Sequence, residues 1–306
     1  MPQAALALTE DRRRCTGESH QALHALLPDT DQPLTIPAAR HPEQAQLEAA
    51  VFLACCKIGS LSEHPLGIVQ VRPDEDRLTL RLLDEPYVVH HWAEFLLPRL
   101  SGEEGEHPLD RVSGVPGLRY RRESSGISLH RPGTPARITL TGFNPRWWER
   151  IADRLTADYG LLQSEPDWTP TEWAAYTAAV SSPFEPPSLF SPLLRRIRAT
   201  AGTGPFNGTD AWHAVGGSFR LETTDGPPCP DIIRLLGDGP TALGWKVDHK
   251  SCTCLCDHTH SGMGCTIDFL EPTTGQFVYY SNLKWKHTHS DRRSQSITDL
   301  NRLAFA

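Results

Sequence analysis

Leu66-Gly-Ile-Val-Gln-Val-Arg-Pro-Asp-Glu-Asp-Arg-Leu-Thr-Leu-Arg-Leu-Leu83, and after Asp84-Glu85 the run Pro86-Tyr-Val-Val-His-His-Trp-Ala-Glu-Phe-Leu-Leu-Pro-Arg-Leu100, decide the class of fold. The first run predicts a hairpin: apolar strands over 66–71 and 78–83 flank the charged turn Pro73–Asp76. The second predicts a helix over 86–100, with Val89, Trp92, Leu96 and Leu97 apolar. Upstream, Pro42 and Glu43 suit a helical first turn, Leu47, Val51 and Ile58 lie near one face, and Gly59 ends a helix over 42–58. Downstream, strands fit 118–122, 127–130 and 137–141. Asn144 and Pro145 then open a helix reaching Tyr159, Asn as cap and Pro in the first position. Helix, hairpin, helix, strands, helix is an α+β order.

The rest of the chain extends this outward. Residues 1–40 are expected to be an N-terminal arm with a short helix over 19–27. Residues 41–200 form the α+β domain. It includes a helix over 172–180, a linker containing Pro183, Pro186, Pro187 and Pro192, and a short basic helix over 193–199. Residues 201–306 are expected to be β-rich, with strands at 218–223, 231–236, 242–249, 265–270 and 277–280 and a last helix over 296–303. The 26 prolines among 306 residues, well above the usual ~5%, call for many stiff connections.

The longest apolar run, 49–56, has eight residues, against the ~20 a spanning helix needs. Arg12, Arg13 and Arg14 follow a short apolar stretch, whereas a secretory leader has its basic residues first. The expectation is a cytoplasmic protein with no membrane partner. Net charge is −7, unevenly placed: 9 Lys/Arg against 18 Asp/Glu over 1–110, 12 against 8 over 111–200, and 9 against 11 over 201–306. A general polyanion binder is excluded by that balance, and a local one in the middle is allowed.

Of the eight cysteines, four lie within Cys252-Thr-Cys254-Leu-Cys256-Asp-His258-Thr-His260-Ser-Gly-Met-Gly-Cys265, and His287-Thr-His289 follows. Such clustering suits metal or redox chemistry in a reduced compartment better than an extracellular disulfide framework. Thiolate and imidazole are the donors Zn²⁺ prefers, four in a tetrahedron. In an extended segment every Cys and His from 252 to 260 shares one face, and one ion cannot take all five. The expected set is two of Cys252, Cys254 and Cys256, one of His258 and His260, and Cys265, in a structural zinc site. Inert thiols packed in a β core are the plainer alternative.

Upstream, Pro230-Asp231-Ile-Ile-Arg-Leu-Leu-Gly-Asp-Gly-Pro-Thr-Ala-Leu-Gly-Trp-Lys-Val-Asp248-His-Lys250 resembles the PD-(D/E)xK nuclease signature in the C-terminal third: a Pro-Asp opening a strand, a turn, and a second strand ending in Asp-x-Lys. The resemblance implies Asp231 and Asp248 as ligands of Mg²⁺ or Mn²⁺, with Glu222 as a third carboxylate. Lys250 would be the catalytic lysine. One departure is the Cys/His cluster, which stands where such folds continue into a helix. Asp248-His249, Asn282-Leu283 and His289 are similar to an HNH arrangement with an unusually long gap, and His287-Thr-His289-Ser-Asp291 is similar to HxHxD metallohydrolases without evident partner histidines. The order of elements over 41–160 resembles LAGLIDADG-type domains. Gly59-Ser60-Leu61 stands where that signature has an acidic ligand, which implies a non-catalytic DNA-binding domain.

Arg119, Arg121, Arg122, Arg131 and Arg137 on neighbouring strands, with Trp147 and Trp148 at a helix start, are candidate nucleic-acid contacts, since arginines beside aromatics bind phosphates and stack on bases. A solvated strand face is the plainer reading. Together these patterns predict a protein acting on nucleic acid, DNA in preference to RNA, as a metal-dependent nuclease (a hydrolase) with a structural zinc. The alternative is a non-enzymatic, zinc-stabilised DNA-binding or regulatory protein, and a small-molecule metalloenzyme using the His pairs is a third class.

Overall fold

The computed structural model describes residues 3–26, 34–56, 64–101, 107–182, 186–202, 208–213, 218–251 and 264–283. These fall into two units. One draws on 3–38, 64–73 and 195–283, the other on 39–56 and 74–194. Within described stretches the chain passes between them at 38/39, at 73/74 in the turn of the expected hairpin, and at 194/195. The expected final helix over 296–303 lies outside the described residues.

The second unit holds the elements foreseen first. They are helices α3 (Pro42–Cys55), α4 (Pro86–Leu96), α5 (Pro145–Tyr159), α6 (Pro170–Val180) and α7 (Pro187–Leu194), and strands β2 (Leu78–Leu82), β5 (Arg119–Glu123), β6 (Gly126–His130) and β7 (Arg137–Thr141). The strands of this unit run in the order β2-β7-β6-β5, and β1 (Ile68–Pro73) belongs to the first unit. β2 runs parallel to β7, and the other two pairs in this unit are antiparallel. One sheet face is apolar: Leu78, Leu80, Ile127, Leu129, Ile138 and Leu140 are all fully buried. Phe52 of α3 and Phe190 of α7 stack at 6.0 Å, and Tyr120 meets Trp148 of α5 edge-on at 5.9 Å. Each such large side chain contributes about 1.5–3 kcal/mol by leaving water.

Local chemistry sets the ends of these elements. Asn144 Oδ1 accepts from Arg146 N at 3.1 Å, and α5 stops at Gly160, whose φ of 68° is the left-handed conformation a C-terminal cap takes. Thr169 and Glu172 form a reciprocal capping box on α6. α4 ends at Leu96 rather than at 100. Leu97 precedes Pro98 and is extended (ψ 122°), as a residue before proline prefers. Arg99–Leu100 instead forms a short strand, β3, with β4 (Val112–Ser113). The basic helix expected over 193–199 resolves into α7 and a 3₁₀ turn at Ile197–Thr200.

The first unit contains α1 (Gln3–Thr16), α2 (His20–Ala25), β8 (Gly208–His213), β9 (Phe219–Thr224), α8 (Cys229–Ile233), β10 (Lys246–Ser251), β11 (Cys265–Leu270) and β12 (Phe277–Leu283). Its sheet runs β10-β11-β12-β9-β8, antiparallel except for β12 beside β9. The segment expected as an arm is a built part of this unit. Cys15, Asp11 and Thr16 of α1 are buried, Asp11 pairs with Arg234, and Arg14 Nη2 meets Asp231 Oδ2 at 3.0 Å. The strand expected over 231–236 is replaced by α8 and a wider turn at Arg234–Asp238. Ile232, Leu235 and Leu236 are buried together, which is helical spacing rather than strand alternation. β8 has no counterpart among the expected strands.

Candidate functional site

Sheet register decides which candidate residues share a face, because residues directly opposite on neighbouring strands project to the same side. In the first unit, Leu221, Tyr280 and Ile267 lie opposite one another across β9, β12 and β11, and all are buried. Lys250 of the edge strand β10 pairs with Ile267 and so lies on that side, its own side chain exposed. Glu222 pairs with Ser281 on the opposite side, where Ser281 Oγ donates to Glu222 Oε2 at 3.3 Å. Glu222 and Lys250 therefore occupy opposite faces, which removes Glu222 as the third carboxylate beside that lysine.

Two further features depart from the nuclease pattern. Val247 is paired with Phe269 and His249 with Asp268, so Asp248 is the extra residue of a β-bulge. A bulge breaks the two-residue alternation by which Asp-x-Lys was expected to present both side chains together. Asp231 sits in the first turn of α8 and is bound by Arg14. Among the described residues no group of three or more His, Cys, Asp or Glu is placed to hold a metal ion. Asp231, Asp248 and Glu222, as placed, do not fit a Mg²⁺ or Mn²⁺ centre.

Asn282, the asparagine of the HNH-like spacing, has a structural task. Its amide nitrogen donates to Gly226 O and Pro227 O at 3.0 and 3.1 Å, and its oxygen accepts from Gly226 N at 2.8 Å and Thr223 Oγ1 at 3.2 Å. It latches the 225–227 loop to the sheet. Of the Cys/His cluster, Cys252, Cys254, Cys256, His258 and His260 lie outside the described residues, as do His287 and His289. Cys265 opens β11, is 1% exposed and is disulfide-bonded.

The arginines of the second unit are arranged differently. Arg119 lies opposite His130, and His130 opposite Arg137. Arg121 lies opposite Ser128, Ser128 opposite Thr139, and Thr139 opposite Thr79. Thr141 lies opposite both Gly126 and Arg81. All belong to the face turned away from Leu129, Ile138 and Leu140. One surface thus carries Arg81, Arg119, Arg121, Arg137, His130 and a row of hydroxyls, and Glu123 at the end of β5 is the acid on these strands. Arg81, Arg121 and Arg137 are exposed. Burial depresses the His130 imidazole, and the charges of Arg137, Arg121 and Arg119 push it the same way, against a raising backbone hydrogen bond from Ser128.

Not every arginine of the expected set is exposed on that face. Arg119 is spent internally: Nη1 and Nη2 donate to Glu172 at 2.8 and 3.0 Å, and Nε to Glu165 O at 2.8 Å. Arg122 belongs to the other face and pairs with Glu149 of α5 at 2.8 Å. Arg131 is buried past the end of β6. Trp148 is core, fully buried. Arg81 and His130 were missed from sequence, although counting alternate positions along β2 and β6 would have found them.

The first unit's outward sheet face offers a contrast. Arg220 lies over the Tyr279 ring at 5.7 Å, Phe277 stacks on Tyr279 at 6.1 Å, and Trp212 is 40% exposed. Asp210, Glu222 and Asp268 are interleaved with them on that face, so it lacks the basic excess of the other sheet. No protein-family model, curated protein or solved structure matches this chain.

Proposed function

We propose that this chain binds the phosphate backbone of nucleic acid, DNA in preference to RNA, through the arginine and hydroxyl face of β2, β7, β6 and β5, as a non-enzymatic binding or regulatory protein. The observation that carries the reading is the alignment of Arg81, Arg121 and Arg137 on one exposed face around His130. Guanidiniums on one face neutralise a line of phosphates, and the counterions those phosphates release drive the binding. The half-buried Thr79, Thr139 and Thr141 hydroxyls between the arginines suit phosphate oxygens as well. Arg81→Ala, Arg121→Ala and Arg137→Ala should each weaken binding to duplex DNA. Each should also flatten the plot of log K against log salt by about 0.9 for every phosphate no longer neutralised. Binding that is unchanged in the folded triple variant sinks this reading.

The zinc proposal stands on the donor set of Cys252–Cys265, whose sulfur and nitrogen ligands suit Zn²⁺. Cys265 is disulfide-bonded, and a sulfur held in a disulfide is not a thiolate ligand, so its participation requires that bond to be reduced. Protein purified with reductant and zinc should hold about one equivalent by elemental analysis, and oxidised protein less. Absence of metal from the reduced protein removes the proposal.

A further inference from the structure

Five arginines are buried among the described residues: Arg12, Arg119, Arg131, Arg195 and Arg196. Four of them are answered by oxygen. Arg12 Nε donates to Glu18 at 2.8 Å, Arg119 to Glu172 at 2.8 Å, Arg195 Nη1 to Pro37 O at 2.7 Å, and Arg196 Nε to Thr241 O at 2.7 Å. Arg131, 5% exposed, is the exception. Its Nε is sealed from solvent and has no partner, and its guanidinium lies over the Tyr176 ring, 4.8 Å from the centroid.

That ring is held in place. Tyr176 donates its hydroxyl to Gln46 Oε1 at 2.6 Å and packs on Trp168 and Trp173 with centroids 4.9 and 5.5 Å apart. The turn after Arg131 is equally fixed. Arg131 O accepts from Thr134 N and Oγ1 at 3.4 and 3.2 Å, and Pro132 O accepts from Trp168 Nε1 at 3.2 Å. Gly133, at the exposed tip of this turn, takes the left-handed conformation at φ 72°. Burial without an anion lowers the guanidinium to about 10, and Tyr176 acts weakly in the other direction.

A ring face satisfies none of the five N–H donors of a guanidinium. Proteins bury charge when it is paired or hydrogen-bonded: Arg12 and Arg119 each have a carboxylate, and Arg195 and Arg196 each have a backbone carbonyl. We propose that Arg131 anchors a binding site for a phosphate-type oxyanion, seated at the outer end of the guanidinium beside the 131–134 turn. The fork of a guanidinium matches two phosphate oxygens at once. The site is independent of the arginine face of the sheet, because Arg131 lies beyond β6. The anion can come from free phosphate or from a nucleic-acid strand.

The test is thermal unfolding of the full chain with rising inorganic phosphate at constant ionic strength, and in a second arm with a short single strand of DNA. Wild type should gain roughly 5 °C at about a hundredfold excess over Kd. Arg131→Met, which keeps an unbranched apolar stem and removes the guanidinium over Tyr176, should show no gain, and Arg131→Lys a reduced one. Arg146→Ala, which removes an exposed charge from α5, should respond as wild type does. If Arg131→Met does not fold, Arg131→Gln and Arg131→Lys carry the comparison. A gain with the DNA strand alone, lost without Arg131, supports the site and names backbone phosphate as its source. No gain in either arm, or an equal gain in the Arg131 variants, overturns it.

Discussion

Glu172 shows how much one side chain decides here. It accepts from Arg119 twice, from Gly117 N at 3.0 Å and from Thr169 N at 3.1 Å, and it is fully buried. Burial alone pushes its carboxyl upward. The Arg119 hydrogen bonds, the Thr169 and Gly117 amides and the Arg119 charge outweigh burial and leave it below the usual range. Gly117, at φ 72°, must be glycine for a second reason: a Cβ there would stand 2.2 Å from the Trp168 ring. Breaking a buried pair strands the survivor's charge, so Glu172→Ala should destabilise by about 3–5 kcal/mol in urea unfolding. The double change Arg119→Met with Glu172→Leu should recover much of that stability. Equal destabilisation in the single and double variants would show that packing, not charge, was at stake. Arg119 is expected to matter for stability and not for nucleic-acid affinity, which separates it from Arg121 and Arg137.

Elements with strong end signals formed where their sequence placed them, and α6 allows a quantitative check. Thr169 Oγ1 accepts from Glu172 N at 3.2 Å. Thr169→Ala should therefore cost about 1 kcal/mol, read as a lower urea midpoint at unchanged m. A change below a few tenths would mean the cap is redundant with the Arg119 bonds that already hold Glu172. α8 is the counter-example. Cys229-Pro-Asp-Ile-Ile-Arg-Leu-Leu236 contains helical spacing, yet the Pro-Asp pair and its apolar residues suit a strand equally well in so short a run. Packing settled the matter by burying Cys229, Ile232, Leu235 and Leu236 together. The Pro-Asp of the nuclease-like spacing thus opens a helix and not a strand.

For the whole molecule, pH is the most informative variable. Burial lowers His90, His91 and His130. Glu94 opposes the shift at the first two, and nearby arginines reinforce it at the third. A histidine with a depressed folded pKa binds its proton more readily when unfolded. Its contribution is complete above the unfolded value of about 6.5 and is lost as pH falls through that value towards the folded one. Tm should therefore drop between pH 7.5 and 5.5, and His130→Gln should reduce the drop. A flat profile over that range would mean that these imidazoles protonate without penalty. A second decline belongs below about pH 4.5, where the lowered carboxyls of Glu172 and Glu271 take up protons. Among the described residues no helix is long and apolar enough to cross a membrane.

Local signals were legible in the chain wherever the physics is local. The α+β class, strands β1 and β2, the start and end of α5 and the β5–β6–β7 meander follow from alternation, capping residues and prolines, each of which acts within a few positions. What needs distant partners was not legible. Arg119, Arg121 and Arg122 look alike in sequence, but register turned Arg122 to Glu149, and α6 brought Glu172 onto Arg119. Arg131 reads as one more strand-end arginine until burial removes its water and leaves its Nε without a partner. Asp231, Asp248 and Lys250 kept their spacing along the chain and lost their common face, through a helix at the first and a bulge at the second. Spacing along a strand sets a side chain's face only while the strand stays regular, and partners far away in the chain decide whether it does.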